Sequence, residues 1–379
     1  MNTGNAGANL PALRGHNAAL VLDLLRTSGE EGISRLEIAE RTGLTPQAVS
    51  KIVGRLRAEG LAAEAGRRAS TGGKPRTVLR LAPGAGLAVG VHLDRDALIA
   101  VLMDLAGTVV DERRAPLDLG AGSDAVLGAV AREVAALTAV REQESVRGQG
   151  SAPGSVLGVG VALPGPLDHR GGVLHRVTGF PEWDGFPLRD ALAERLALPV
   201  VVDKDTNAAA LGLALARPSG GGSFAYLHLG TGLGAGLVLS GALYRGDRTG
   251  AGEFGHQILQ LDGPLCSCGN RGCIEALCLA AVADGDLERA ARVLGEGAAN
   301  LVGLLDIDLV LLGGRTVAGA SEVFVRGVAD VVRGRARPAV EVSVRQAEGG
   351  TRLVAEGAAH LVLAPLFGRA NVAFPANRN

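Results

Sequence analysis

The sequence predicts an α/β protein in two parts, a small basic helical module followed by a larger domain of alternating strands and helices. The first observation is charge. Residues 1–81 hold 12 Lys and Arg against 7 Asp and Glu, whereas residues 82–379 hold 26 against 32. The second is pattern, because strand-like apolar runs recur between helical segments and the series is repeated once. A basic module joined to an acidic one indicates that the first part meets a polyanion.

The composition limits the protein class and the compartment. With 379 residues, 47% of them hydrophobic, the chain is long enough for two or three packed cores. No apolar run reaches the roughly 18 residues of a membrane helix, and the N-terminus lacks the order of a signal peptide. The four cysteines are bunched, which suggests a reducing compartment. We therefore expect a cytoplasmic protein that does not bind a membrane.

The first part carries the start and stop signals of a helix-turn-helix. Ser34, with Glu37 three residues later, forms a capping box for one helix, which Gly43 ends. Thr45 caps the next helix, and Pro46 occupies its first turn, where a missing N–H costs nothing. Two helices joined by a tight turn that contains glycine describe a helix-turn-helix.

A polar helix face and a basic hairpin complete this module. The short strand after Gly60, the turn AGRRASTGGKPR and the strand TVLRL would form the wing of a winged helix. Polar side chains on the outer face of the helix that Thr45 caps, and basic side chains of the hairpin, can reach base edges and phosphates of DNA. The alternative is a small helical domain with a solvated basic loop, but caps, polar face and hairpin together favour DNA binding. The predicted DNA-contacting residues are Thr45, Gln47, Ser50, Lys51, Arg55, Arg67, Arg68, Lys74 and Arg76.

The cysteines form a motif with an upstream histidine. The spacing H-x9-C-x-C-x4-C supplies the imidazole and thiolate ligands that suit tetrahedral zinc. No coordination position remains for water, so we expect one structural Zn²⁺ per chain. The alternative, small buried residues beside an unrelated histidine, leaves the clustering without a cause. The predicted ligands are His256, Cys266, Cys268 and Cys273.

Six segments recur in the order typical of a known family. They are LPGPLD (163–168), VVVDKDTNAAALG (200–212), LGTGLGAGLVLSGALYRG (229–246), GAGEFGH (250–256), CSCGNRGCIEA (266–276) and LVLLGG (309–314). On these segments the chain resembles the ROK family of bacterial sugar kinases and sugar-responsive transcription regulators. The N-terminal module, with GGKP at 72–75, resembles the regulator branch. The resemblance implies a two-lobed actin-like, hexokinase-like ATPase fold, with sugar and nucleotide meeting in the cleft.

The expected domain organisation combines the module and the resemblance. It is a disordered tail over 1–15, a winged helix-turn-helix over 16–82, a linker over 83–87 and a ROK domain over 88–379. Within that domain, lobe 1 should span about 88–205 plus the C-terminal helix, and lobe 2 about 206–350.

The resemblance allows kinase chemistry to be checked by position. Phosphoryl transfer needs a base for the sugar hydroxyl and a backbone cradle for the phosphates. Asp205 stands at the family's catalytic aspartate position, and the glycine turn 230–236 is kept. The family's Asp-x-Gly-Gly-Thr loop, however, is replaced by HLDRD over 92–96, which puts side chains where backbone N–H groups approach phosphate. We therefore expect weak triphosphate binding and no enzyme activity.

The sugar site is better kept. The resemblance implies that an effector contacts the carboxylates and the histidine of the cleft, while two asparagine positions of the family are changed to Lys204 and Gly179. We expect Lys204 to pair with Asp203 or Asp205; the alternative is that it favours an anionic ligand such as a sugar phosphate. For the glutamates the alternative is a surface salt bridge. The predicted effector-binding residues are Lys204, Asp205, Glu253, His256 and Glu275.

The predicted function is a DNA-binding transcription regulator of carbohydrate-related genes, a repressor, controlled by a sugar or sugar phosphate in the interlobe cleft. It should bind a double-stranded operator as a homodimer or homotetramer. Two alternatives stay open at this point. One is an active ATP-dependent sugar kinase. The other is a DNA-binding regulator with a vestigial sugar site, since the segment after Glu275 is shorter than in relatives.

Overall fold

A computed structural model describes residues 10–68, 76–146, 155–175, 177, 180–217, 222–335 and 341–369. The helices are α1 (Leu10–Thr27), α2 (Arg35–Thr42), α3 (Pro46–Ala58), α4 (Ser123–Val146), α5 (Leu188–Leu196), α6 (Asp205–Ala216), α7 (Ile274–Ala283), α8 (Leu287–Leu305), α9 (Arg315–Gly319), α10 (Ser321–Arg335) and α11 (Leu353–Leu363). The strands are β1 (Ile33–Ser34), β2 (Ala62–Arg68), β3 (Arg76–Leu81), β4 (Gly86–Leu93), β5 (Ala97–Asp104), β6 (Val109–Pro116), β7 (Ser155–Leu163), β8 (Leu167–Asp168), β9 (Val173–Leu174), β10 (Val200–Lys204), β11 (Phe224–Leu229), β12 (Leu233–Leu239), β13 (Ala242–Tyr244), β14 (Leu309–Gly313) and β15 (Ser343–Gln346).

The N-terminal module is a winged helix-turn-helix. The Ser34 side chain accepts the Glu37 N–H while the Glu37 carboxylate accepts the Ser34 N–H, so the predicted capping box is confirmed. Gly43 ends α2 in the left-handed conformation, and the Thr45 side chain accepts the Ala48 N–H at the start of α3. The strands β2 and β3 pair as the predicted antiparallel hairpin, with β1 on the outer side of β3.

The first helix begins earlier than the sequence predicts. It starts at Leu10, inside the segment 1–15 expected to be a disordered tail, and residues 1–9 lie outside the described residues. Proline at the second helical position and several good helix formers after it extend the helix beyond the apolar periodicity that marks its buried part. In the predicted linker, residues 83–85 form a short 3-10 helix and β4 already begins at Gly86.

The larger domain contains two five-stranded sheets with the same topology. In the first sheet the order is β10-β7-β4-β5-β6, and in the second it is β13-β12-β11-β14-β15. In each, three consecutive strands form an antiparallel meander, and two later strands add in parallel beside its first strand. The chain thus repeats one α/β unit, which gives the two lobes of the expected actin-like, hexokinase-like fold.

Helices α6 and α11 join the two sheets. Helix α6 starts where β10 ends, and it packs on β12 and on α11. Helix α11 lies against β4 and β7, where Gly160 is needed because a Cβ there would stand 1.8 Å from the Ala358 carbonyl oxygen. Both helices are almost entirely buried, so the segment that begins with Asp205 is fixed by packing on either side.

The core of the winged helix is continuous with that of lobe 1. Apolar side chains of α1, α2 and α3 share one cluster with Ala88, Val101, Met103 and the α11 residues Ala355 and Ala359. The cluster also includes Phe367, just after α11, over whose ring the Arg26 guanidinium lies at 5.2 Å. Arg369 donates to the Asp23 carboxylate at 2.6 and 3.0 Å. The winged helix is therefore attached to lobe 1 by an apolar interface, by the Arg26–Phe367 contact and by the Arg369–Asp23 ion pair.

Candidate functional site

The cleft that holds the predicted effector residues opens where the turns after β4 and β11 meet the start of α6. Strand β10 brings Lys204 to its edge and α6 begins there with Asp205, so these neighbours enter the cleft from lobe 1. The other predicted effector residues come from the loop after β13 and from α7. The cleft is lined by Asp94, Arg95, Pro164, Gly165, Lys204, Asp205, Thr206, His228, Thr231, Gly232, Leu233, Gly234, Gly252, Glu253, His256 and Glu275.

All five residues predicted for the effector site thus line one cleft. Glu253 is partly exposed, and its side chain reaches towards lobe 1. Glu275 accepts the Leu233 N–H at 2.9 Å through Oε2, which ties α7 to the start of β12. Asp205 accepts the Thr206 N–H at 2.6 Å, so one of its oxygens helps to start α6. Gly179, the other changed position, lies outside the described residues.

The predicted pairing of Lys204 with Asp203 or Asp205 is wrong. Its ammonium donates to the Ala251 carbonyl oxygen at 2.6 Å and to Glu253 Oε1 at 3.0 Å. Side chains alternate along a strand, so Asp203 points to the other side of β10. There it accepts from Arg245 at 2.6 Å and from Asn207 at 2.8 Å, while Asp205 belongs to the helix that follows.

The structure brings the four predicted metal ligands together. Their ligand atoms lie within 4.8 Å of one another. The distances from Cys268 Sγ to Cys273 Sγ and from Cys266 Sγ to His256 Nδ1 are both 3.7 Å. A tetrahedron with metal–sulfur bonds of about 2.3 Å has edges of roughly 3.8 Å, whereas a disulfide would need about 2.05 Å. The cluster therefore fits a tetrahedral metal ion, and Cys278, whose thiol contacts the Ala290 carbonyl, is not part of it.

The metal cluster also orients the cleft. His256 meets the cysteines through Nδ1 and lines the cleft as well, so its other ring nitrogen is the one that remains for a ligand. Cys273 directly precedes α7, which carries Glu275. A metal bound here would fix both the histidine and the glutamate in place.

An ion pair that the sequence analysis missed links the two lobes beside this cleft. The Arg315 guanidinium, at the start of α9, donates to Asp94 at 2.5 Å and to Asp96 at 2.6 and 2.8 Å. The hydrogen bonds to Asp96 and Asp94 raise the pKa of Arg315 further. Burial raises the pKa of the Asp94 carboxyl, but the hydrogen bonds that it accepts from Arg315 and from the Arg95 N–H outweigh burial and hold this pKa below its usual range. The only sequence signal was an arginine directly after the glycine pair of LVLLGG.

Two histidines lie behind that ion pair. His92 is buried, its Nδ1 has no hydrogen-bond partner among the described residues, and burial lowers its pKa to about 4 against the attraction of Asp205. His228 Nδ1 is 2.9 Å from the Tyr226 hydroxyl, whose pKa is raised by burial. The side chain that replaces the family's carboxylate at position 92 is therefore neutral at pH 7.

The predicted DNA-contacting residues lie on one helix and one hairpin. Thr45 is the N-cap of α3, and the side chains of Gln47, Ser50, Lys51 and Arg55 are exposed along it. Arg55 faces Glu59 at 3.7 Å, an exposed pair that leaves the arginine accessible. Arg67 and Arg68 are in β2 but their side chains lie outside the described part of the chain, as does all of Lys74; Arg76 is exposed at the start of β3.

Comparison with known proteins assigns both parts of the chain. The sequence model of the ROK family matches residues 136–281, and that of the MarR family matches residues 15–69. The xylose repressor of Caldicellulosiruptor bescii is 27% identical over 64% of this chain and 59% of its own length. The NagC dual regulator of Escherichia coli is 29% identical over 79% of this chain and 70% of its own. The chain thus spans about three fifths of the xylose repressor.

Solved structures agree. A ROK family transcriptional regulator described as a homologue of the Escherichia coli Mlc protein matches with a TM-score of 0.75 at 22% identity, over 94% of this chain and 97% of that one. The ROK hexokinase of Thermus thermophilus matches with a TM-score of 0.56 at 30% identity, over 72% of this chain and 96% of that one. Within the described residues, no helix is long and apolar enough to cross a membrane. The two-lobed domain, its cleft and these likenesses lead to one conclusion: the chain belongs to the ROK family.

Proposed function

We propose that the protein is a DNA-binding transcriptional repressor of carbohydrate-related genes, controlled by a carbohydrate-derived effector in the interlobe cleft. The observation that carries this is the exposed polar face of α3 on a winged helix whose apolar core continues into lobe 1. A helix presented in this way suits the major groove, and the basic hairpin beside it suits phosphates. Relatives named as repressors and a regulator support the same function.

The effector would bind among Lys204, Asp205, Glu253, His256 and Glu275. Carboxylates accept hydrogen bonds from sugar hydroxyls, and the imidazole, with Nδ1 on the metal, carries its proton on the other ring nitrogen and can donate. One structural Zn²⁺ per chain, held by the His and three Cys, would keep two of these residues in place. We further propose a homodimer or homotetramer on a double-stranded operator and a cytoplasmic location.

We propose that the protein is not a kinase. The base position is kept as Asp205, but at the first phosphate loop Asp94, which lines the cleft, and Asp96 beside it are both bound by the Arg315 guanidinium. A triphosphate would meet two carboxylates and would have to displace Arg315 from both. Kinases among the structural relatives keep an ATP-dependent hexose kinase as the second candidate.

The test is an operator-binding assay with the DNA upstream of the protein's own gene, at one fixed salt concentration, because phosphate contacts make affinity depend on salt. We expect a specific complex that a carbohydrate-derived ligand weakens or strengthens. Lys51→Ala should weaken it, whereas Glu322→Ala, in α10 of the second lobe, should not. No specific complex, together with ATP-dependent phosphorylation of a hexose, would establish the kinase instead. A specific complex that no ligand changes would leave a vestigial sugar site.

A further inference from the structure

The wall of the cleft contains an ammonium group that is held in a fixed place. The Lys204 side chain is only 4% exposed, and its stem passes over Gly165, where a Cβ would stand 2.8 Å from Lys204 Cδ. Its Nζ has three N–H donors, and Ala251 and Glu253 take two of them. No described residue takes the third, and Lys204 lines the cleft, so this donor is left for a ligand acceptor.

The same contact changes what Glu253 can recognise. A free carboxylate binds two neighbouring hydroxyls through its two oxygens. Here Oε1 accepts the Lys204 ammonium, which leaves Oε2 for a ligand. At this end of the cleft the wall therefore offers one N–H donor of the Lys204 ammonium and a single oxygen of the Glu253 carboxylate. It suits a ligand group that accepts hydrogen bonds.

A second cation lines the cleft. The Arg95 guanidinium lies 5.5 Å from the centre of the Phe180 ring, and among the described residues it has no carboxylate partner. Its neighbour Asp94 is paired with Arg315, a guanidinium that Asp94 shares with Asp96. Arg95 is thus a cation available to a ligand, in addition to the third N–H donor of Lys204, whose charge is already paired with Glu253.

The remaining acids limit how much negative charge that ligand carries. Asp205 and Glu275 line the cleft without a cationic partner and suit hydroxyl donors. Doubling the charge of the ligand doubles its repulsion by Asp205 and Glu275 as well as its attraction to Arg95. Because these two acids outnumber the one unpaired cation, a dianionic phosphate is disfavoured relative to a single carboxylate. On the proposed effector site, we infer that Lys204 sets the class of effector and that the cleft takes a sugar acid, a carbohydrate with one carboxylate.

The experiment is calorimetric titration of the full chain at pH 7.5 and fixed salt with glucose, glucuronate, gluconate and glucose 6-phosphate, and with the same derivatives of galactose. We expect an acid to bind at least about tenfold more tightly than its parent sugar, a ratio equivalent to about 1.4 kcal/mol. Lys204→Met should reduce that ratio by at least about tenfold. Lys204→Gln serves if the methionine variant does not fold. Arg248→Met removes an exposed cation that does not line the cleft and should leave the ratio unchanged.

Equal binding of acid and parent sugar, or a ratio unchanged by Lys204→Met, overturns the role of Lys204 while leaving the effector site in place. Tighter binding of the phosphate than of either acid overturns the choice of a carboxylate. No binding of any of these compounds overturns both this inference and the proposed effector site, whereas operator binding would be unaffected.

Discussion

The two sheets present the same turn in two chemical versions. The first meander turns at His92-Leu93-Asp94-Arg95-Asp96, and the second at His228-Leu229-Gly230-Thr231-Gly232. Each turn follows the first strand of its meander, β4 or β11, after a histidine and a leucine. The backbone framework is therefore shared, and only the residues after the leucine differ.

That difference decides what each turn can contact. In the second turn, Gly230 and Gly232 carry no side chain, and the turn borders the cleft beside Glu275. In the first, Asp94 and Asp96 project side chains that Arg315 binds from the other lobe. The first turn, which could receive a ligand through its backbone, thus makes a contact within the protein instead. The side chains of Asp94 and Asp96, together with Arg315, are enough to produce this difference between the two turns.

The largest expected effect concerns the proposed metal ion, which would support the second turn through α7 and Glu275. Removal of the ion should release the loop before α7 and with it Glu275, which holds Leu233. A metal present at about a thousand times its dissociation constant stabilises the native state by about 4 kcal/mol. Denaturant unfolding with and without 1,10-phenanthroline measures the loss. Cys268→Ser should behave like the chelated protein and Asp262→Ala, in the same loop, like the wild type; an unchanged midpoint in chelator would contradict the prediction.

Acidification should act through the first turn's histidine. His92 has a pKa of about 4 in the folded protein and about 6.5 when unfolded, so below pH 6.5 the unfolded chain binds more protons. Stability should therefore fall as the pH drops from 6.5 towards 4, by about 2 kcal/mol at pH 5. The charged and titratable groups around the ring are Asp205, Asp94, His228 and Arg315.

His92→Gln isolates this term, because the similarly buried His360 remains in both proteins. The measurement is the free energy of unfolding at several pH values, and the slope between pH 6.5 and 5 should be smaller in the variant. Identical slopes would show that His92 gains a partner or water in solution.

Replacing two side chains of the first turn by glycine tests the comparison directly. Asp94→Gly combined with Arg95→Gly removes the side chains that stand where backbone N–H groups approach phosphate, and it frees Arg315 from one carboxylate. We expect the affinity for Mg·ATP to rise about tenfold, or about 1.4 kcal/mol, in equilibrium titrations. Asp247→Gly with Arg248→Gly makes the same exchange in an exposed loop and should bind no better than wild type. If the affinity for Mg·ATP does not rise, Arg315 or His92, rather than the side chains of the turn, prevents binding.

The smallest expected effect is the loss of the ion pair itself. Arg315 is 45% exposed, so its contribution to stability is below about 1 kcal/mol. Arg315→Ala should nevertheless widen the cleft, which small-angle X-ray scattering reads as a larger radius of gyration. Arg326→Ala breaks an exposed pair with Glu288 within one lobe and serves as the control. Equal scattering from both variants would show that the lobes stay together without Arg315.

The sequence predicted local features well, because their causes are local. Ser34 and Thr45 start helices through bonds three residues away, and the spacing of the cysteines sets the metal cluster. The family resemblance supplied the lobes and the residues that line the cleft.

Contacts between distant segments could not be predicted in the same way. Arg315 meets Asp94 and Asp96 across more than 200 residues of sequence, so only the folded chain reveals the pair. Lys204 was given the wrong partner because the carboxylates nearest in sequence are committed elsewhere, Asp203 to Arg245 and Asp205 to the start of its own helix.

The shared core of the winged helix and lobe 1 has a practical consequence for protein engineering. Residues 16–82 expressed alone would expose the side of α1 that packs against the 3-10 turn Ala364–Phe367, in the cluster that also holds Val21, Leu22 and Leu25. Such a fragment should aggregate rather than fold as an independent winged helix-turn-helix domain. A chimaera that joins this winged helix to another domain would have to keep residues 353–369 as well. These residues form part of the surface against which the winged helix packs.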